Sequence, residues 1–131
     1  METSTGTPRK RHVLIVDDDI PLAWSFKETL EQHGCDATIV PDGGLALKFV
    51  LEHHLDAVVC DLQIARLEGD LWFATVERLN PELARRFIFI TGLDDHSPFQ
   101  KFTDSVALPT LRKPVAIEVL LDEVMRVLER G

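Results

Sequence analysis

Four short apolar runs, Val13–Val16, Ala37–Val40, Ala57–Cys60 and Phe87–Ile90, constrain the fold of this chain more than any other feature of its sequence. Each is too short for a helix, and most are rich in β-branched residues, so they read as strands. They are apolar continuously rather than at alternate positions, which predicts strands covered on both faces. Between them lie segments with helical spacing. Leu22, Phe26 and Leu30 carry the first, Leu45 and Phe49 the second, and Trp72, Val76 and Leu79 the third; Ile117, Leu120, Leu121, Val124 and Leu128 carry the last. A weaker fifth strand is expected at Thr110–Arg112. Strand and helix thus alternate over short connections, which predicts a doubly wound α/β domain with a five-stranded parallel sheet and helices on both faces.

The punctuation agrees. Gly34 can close the first helix, Pro41-Asp42-Gly43-Gly44 makes a turn, and Pro114 stands where a last helix can begin. The stretch from Gly92 to Pro109 fits only a short, irregular helix. Residues 1–11 carry Thr, Ser, Gly, Pro and charge without apolar periodicity and read as a flexible tail, leaving 12–131 as the folded domain. Arg9, Lys10 and Arg11 form the one basic cluster and read as part of that solvated tail.

With 131 residues the chain can bury roughly two thirds of its unfolded surface and needs no disulfide framework, so Cys35 and Cys60 are expected to be inert core thiols. The 22 acidic against 14 basic residues give a formal charge of -8, which argues against direct nucleic-acid binding. No apolar stretch approaches the about 20 residues of a membrane span, and VLIV is too short for a secretory signal core. The cytoplasm is the expected location.

In an open parallel sheet, ligands gather beyond the carboxyl ends of the strands, where strand order reverses. The first run is followed by Asp17, Asp18 and Asp19, the third by Asp61, the fourth by Thr91 and Gly92, and the fifth by Lys113 and Pro114. In a sheet ordered 2-1-3-4-5 these ends form one shelf. Two carboxylates 4 Å apart repel by about 4 kcal/mol at an effective dielectric of 20, so gathering Asp17, Asp18 and Asp61 calls for a cation. All-oxygen ligands suit Mg²⁺, which bridges carboxylates to phosphate oxygens. With Lys113 and the Thr91 hydroxyl opposite, the shelf can hold a phosphoryl group in flight, and a carboxylate can accept it.

The segments VLIVDDD, VVCDLQIARLEG, FIFITG and LRKP, in this order and spacing, resemble a receiver domain of bacterial two-component response regulators from about His12 to Leu128. The stretch LPTLRKP is similar to receivers attached to hybrid sensor histidine kinases. The resemblance implies a flavodoxin-like fold with Asp61 as phosphoacceptor. It also implies Mg²⁺ held by Asp17, Asp18, Asp61 and the main-chain carbonyl of Gln63, with Thr91 and Lys113 on the phosphoryl group. The implied donor is a phosphohistidine on a sensor histidine kinase or phosphotransfer domain, and the implied chemistry is limited to the receiver's own phosphorylation and dephosphorylation. Phosphorylation would switch partner binding. Three positions depart from the family pattern: Ala65 where Pro is usual, Gln63 at a position that influences dephosphorylation, and Thr110 where Tyr or Phe often acts as a switch.

Two other functions compete. A phosphatase of the haloacid-dehalogenase type would use the Asp-x-Asp spacing of Asp17 and Asp19, but Pro21 stands where that family expects Thr or Val, and Asp61 would have no role. A receiver-like scaffold that is never phosphorylated would leave the acids and Lys113 unexplained. Simpler readings also apply to single residues. Asp19 precedes Ile20-Pro21 and is expected to cap the first helix. His53 and His54 are adjacent and read as surface residues, Trp72 and Phe73 as core. Trp24 falls off the first helix's stripe and is a possible exposed contact. Val119 and Met125 lie off the last helix's stripe and could extend an apolar patch for a weak homodimer.

Overall fold

The computed structural model describes residues 9–63, 69–92 and 107–129. Along the chain these form β1 (His12–Val16), α1 (Ile20–Gln32), β2 (Asp36–Val40), α2 (Gly43–Glu52), β3 (Ala57–Asp61), α3 (Gly69–Leu79), α4 (Pro81–Ala84), β4 (Phe87–Thr91), β5 (Thr110–Arg112) and α5 (Ile117–Glu129). All five expected strands are present. They pair in parallel in the order β2-β1-β3-β4-β5, as the sequence predicts for a doubly wound domain.

Every residue of β3 and β4 is buried, as are Val13 to Val16 of β1, so the continuous apolar runs are the strands with helices on both sides. Alternation along the strands then divides the core in two. Leu14, Val16, Val58, Cys60, Phe87 and Phe89 face α2 and α3, packing with Ala46, Val50, Trp72, Phe73 and Val76. Val13, Ile15, Val59, Ile88 and Ile90 face α1 and α5, packing with Phe26, Leu30, Leu120, Val124 and Leu128. The Phe73 ring meets Phe87 edge-on at 4.9 Å, an arrangement that contributes about 0.5–1.5 kcal/mol beyond the area it buries.

The helices show where periodicity misleads. Leu45 is exposed, and α2 instead buries Gly43, Ala46 and Val50. The reason lies at its start: Asp42 is the N-cap and accepts the Leu45 amide at 2.8 Å, so Gly43 and Gly44 are the first helical residues rather than a turn. Leu79 is likewise exposed, at the end of α3. Asn80 follows as N-cap of the one-turn α4, which the sequence reading did not anticipate. Gly34, at φ +86°, closes α1 in the left-handed conformation that glycine adopts without strain. Pro114 does not open α5, which begins at Ile117; the Lys113–Pro114 peptide bond is cis. The expected irregular helix between Gly92 and Pro109 falls largely outside the described residues, as does Ala65.

Two arginines of the basic cluster, though exposed, are hydrogen-bonded to the domain. Arg9 donates to both oxygens of buried Asp56, at 3.3 and 3.1 Å, and Arg11 donates to the Leu128 carbonyl at 2.8 Å in the last turn of α5. Asp56 also accepts the His12 amide at 2.8 Å. Burial alone would push the Asp56 carboxyl up, but the hydrogen bonds from Arg9 and His12, with the charges of Arg9 and His54, outweigh it and hold the group below the ordinary carboxylate range. This knot fastens the amino-terminal ends of β1 and β3. Among the described residues no helix is long and apolar enough to cross a membrane.

Candidate functional site at the carboxyl edge of the sheet

The register fixes the site before any side chain is considered. Val16 is opposite Cys60, so Asp17 follows directly on the end of β1 beside Asp61, the last residue of β3, and Asp61 is in turn opposite Ile90. Parallel pairing carries Asp17, Asp61, Thr91 and Lys113 to one edge. Topology therefore supplies the convergence that the spacing predicted.

Ligand oxygens of Asp17, Asp18 and Asp61 all lie within 4.8 Å of one another. Lys113 closes the group: its ammonium is 3.0 Å from Asp61 Oδ2 and 3.8 Å from Asp17 Oδ2. Backbone amides hold the other oxygens, since Asp19 N–H donates to Asp17 Oδ1 at 2.9 Å and Gln63 N–H donates to Asp61 Oδ1 at 2.8 Å. That leaves Asp17 Oδ2 buried with no hydrogen-bond partner. An acceptor in that state costs about 1–3 kcal/mol unless something fills it.

The electrostatics follow from the crowding. Desolvation pushes the Asp17 carboxyl above its ordinary range; the Asp19 amide and Lys113 oppose this, while the charges of Asp61 and Asp18 add to it. Burial would lower the Lys113 ammonium, but the hydrogen bond and charge of Asp61, with Asp17 and Asp19 nearby, raise it overall. Lys113 is therefore held as a cation among anions. Asp17 and Asp61 are buried while Asp18 is exposed, so the cluster opens to solvent on one side.

Thr91 is buried at the end of β4, and its carbonyl accepts the Lys113 amide at 2.7 Å, which anchors the start of the lysine's loop. A Cβ at Gly92 would sit 3.7 Å from the Lys113 side chain, so Gly92 lies against its stem. Gln63 is exposed and contributes its amide to Asp61. The sequence reading singled out each of these residues but not the amide role of Gln63 or the contact of Gly92 with the Lys113 stem, which no spacing rule marks. Of the residues given simpler readings, Asp19 does cap α1, accepting the Leu22 amide at 3.3 Å. Cys35, Cys60, Trp72 and Phe73 are buried, and Trp24 is half exposed. Val119 is exposed as well, and Met125 only partly buried.

Comparison with known proteins decides the family, because residues 13–125 match the model of the response regulator receiver domain. The chain belongs to that family. The response regulator MprA of Mycobacterium sp. strain KMS is 30% identical over 118 residues, covering 90% of this chain and 50% of that protein. MprA of Mycobacterium leprae is similar to the same extent. The chain thus spans about half the length of the curated relatives it matches. Among solved structures, the CheY-like receiver domain protein of Methanospirillum hungatei superposes with a TM-score of 0.81 at 24% identity, covering 93% of this chain and 96% of its own. The receiver domain of Francisella response regulator 1452 gives 0.77 at 26% identity, covering 92% and 98%. A receiver domain is a phosphoacceptor signalling module of two-component systems, not a classical enzyme. Neither the phosphatase nor the unphosphorylated scaffold gains support from these relatives.

Proposed function

We propose that this receiver takes a phosphoryl group from a phosphohistidine onto Asp61 in a Mg²⁺-dependent reaction and that phosphorylation switches partner binding. The observation that carries the proposal is the buried, unpartnered Asp17 Oδ2 beside Asp61 and under Lys113. A crowded all-oxygen set with an unfilled acceptor fits a small hard cation. Asp17, Asp18, Asp61 and the Gln63 carbonyl would hold it. When bound, Mg²⁺ supplies positive charge to the oxygens of the incoming phosphoryl group.

The chain's own residues do the rest. An Asp61 oxygen forms a bond to phosphorus as the bond from phosphorus to the donor imidazole nitrogen breaks, the electron pair leaving with the imidazole. Lys113, already a cation 3.0 Å from Asp61, turns from the free carboxylate to the phosphoryl oxygens as charge moves onto them. Thr91 at the adjacent strand end offers a hydroxyl to the same group. The identical residues would serve hydrolysis, with water as the acceptor. The donor is a sensor histidine kinase or a phosphotransfer domain, the setting is the cytoplasm, and 12–131 is the signalling unit with 1–11 as its amino-terminal extension. A weak homodimer through the face carrying Val119 and Met125 belongs to the same reading.

A small phosphodonor such as acetyl phosphate tests the assignment. With Mg²⁺ it labels the wild-type chain, and Asp61→Asn abolishes labelling while leaving the fold intact by circular dichroism. Undiminished labelling of a folded Asp61→Asn variant refutes the choice of acceptor.

A further inference from the structure

We infer that Asp19 is a positioning residue for the cation site, because its side-chain cap on α1 fixes the backbone whose amide takes one oxygen of Asp17 and leaves the other free for the ion. The inference rests on the Mg²⁺ reading above and assigns a task to the third acid of Asp17-Asp18-Asp19. Asp19 is anchored on both sides. Its N–H donates to Asp17 Oδ1 at 2.9 Å, its carboxylate accepts Leu22 N–H at 3.3 Å, and its carbonyl accepts Ala23 N–H at 2.9 Å.

Pro21 makes this arrangement specific. It occupies the first turn and has no N–H, so the capping carboxylate has the Leu22 amide as its acceptance point and no second choice at position 21. With carboxylate and carbonyl both committed to α1, the direction of the Asp19 N–H is set by the helix. That N–H in turn pins the Asp17 carboxylate in the rotation that buries Oδ2 without a partner beside Asp61 and Lys113. A group that orients a metal ligand from outside the ligand set commonly changes metal affinity by roughly tenfold or more.

Calorimetric titration of the unphosphorylated protein with Mg²⁺ tests the inference, in four variants whose thermal midpoints are recorded in EDTA. Asp19→Asn and Asp19→Ser keep a capping acceptor but lose the charge, and should bind Mg²⁺ within about threefold of wild type at physiological salt. Asp19→Ala loses both and should bind about tenfold more weakly than Asp19→Asn. Asp19→Gly, which preserves helix initiation without a side-chain acceptor, should follow Asp19→Ala and serves if the alanine variant does not fold. Equal affinities for Asp19→Asn and the cap-less variants overturn the positioning role and reduce Asp19 to its charge. Wild-type protein that binds no Mg²⁺, or Asp17→Asn that binds it undiminished, removes the cation-site reading itself and this inference with it.

Discussion

Replacing Asp17 by Asn should stabilise the metal-free protein, because the structure holds an ionised carboxylate where burial and crowding disfavour one. At an effective dielectric of 20, repulsion between Asp17 and Asp61 oxygens up to 4.8 Å apart is about 3.5 kcal/mol or more, and attraction to the Lys113 ammonium at 3.8 Å is about 4.4 kcal/mol. The two nearly cancel, and the exposed Asp18 adds a repulsion that solvent screens. What stays uncompensated is the desolvation of Asp17 and its partnerless Oδ2, a cost of about 1–3 kcal/mol. Asp17→Asn keeps an acceptor for the Asp19 amide and places a donor where Oδ2 stood, facing Asp61. The expected gain is about 1–2 kcal/mol, or roughly 4–7 °C in the thermal midpoint for a domain of this size. The sign with pH follows from the raised Asp17 carboxyl: its contribution to wild-type stability is present below the unfolded value of 3.8 and is lost as pH rises through the higher folded value. The advantage of Asp17→Asn should therefore grow from acid toward neutral pH. Differential scanning calorimetry in EDTA and again in millimolar Mg²⁺ reads both effects, since Mg²⁺ should stabilise the wild type and not the variant. An unchanged or lowered midpoint in EDTA refutes the reasoning that Asp17 is an unsatisfied anion awaiting a cation.

Other expectations concern the opposite pole of the sheet. Arg9→Ala removes the bidentate partner of buried Asp56 and, allowing for the solvent exposure of Arg9, should cost about 1–2 kcal/mol in urea unfolding at neutral pH. Because Asp56 is depressed, the stability it contributes is present above the ordinary carboxylate value and lost as pH falls through the lower folded value, so the deficit of Arg9→Ala should shrink in acid; a deficit constant from neutral to acid would contradict this. The His12 imidazole, desolvated, near His53 and Arg9 but also near Asp36 and Asp56, should titrate below 6.5 by NMR, and stability tied to its neutral form should fade as pH drops through that lower value. A midpoint at or above 6.5 would show that the two acids outweigh burial.

The strands were legible because a parallel strand covered on both faces has one sequence solution, an unbroken apolar run, and Val13–Val16, Ala57–Cys60 and Phe87–Ile90 each provide it. The site was legible for the same reason: residues just past those runs must share an edge once the strands pair in register, so Asp17, Asp61 and Thr91 could be placed without coordinates, and Lys113 with them once the weaker Thr110–Arg112 is read as the fifth strand. Helix phase was harder. Leu45 and Phe49 offered larger apolar side chains at the same spacing as Ala46 and Val50, but the capping bond of Asp42 sets where α2 begins and turns Leu45 outward. Pro114 marked a helix entry three residues early, since a proline is compatible with a helix start without requiring one. Arg9 and Arg11 looked like a charged tail because composition does not reveal a buried acid, Asp56, 47 residues away from Arg9. The orphaned Asp17 oxygen and the amide contacts of Asp19 and Gln63 depend on local backbone direction, which spacing alone does not encode.

Peptide mapping of the acetyl phosphate-treated protein by tandem mass spectrometry, with Mg²⁺ and with EDTA, tests the central claim most directly. The account predicts a phosphoryl group on Asp61 that forms with Mg²⁺ and does not form when the metal is chelated beforehand. Modification on Asp17, or on Asp61 to the same extent in EDTA, would contradict it.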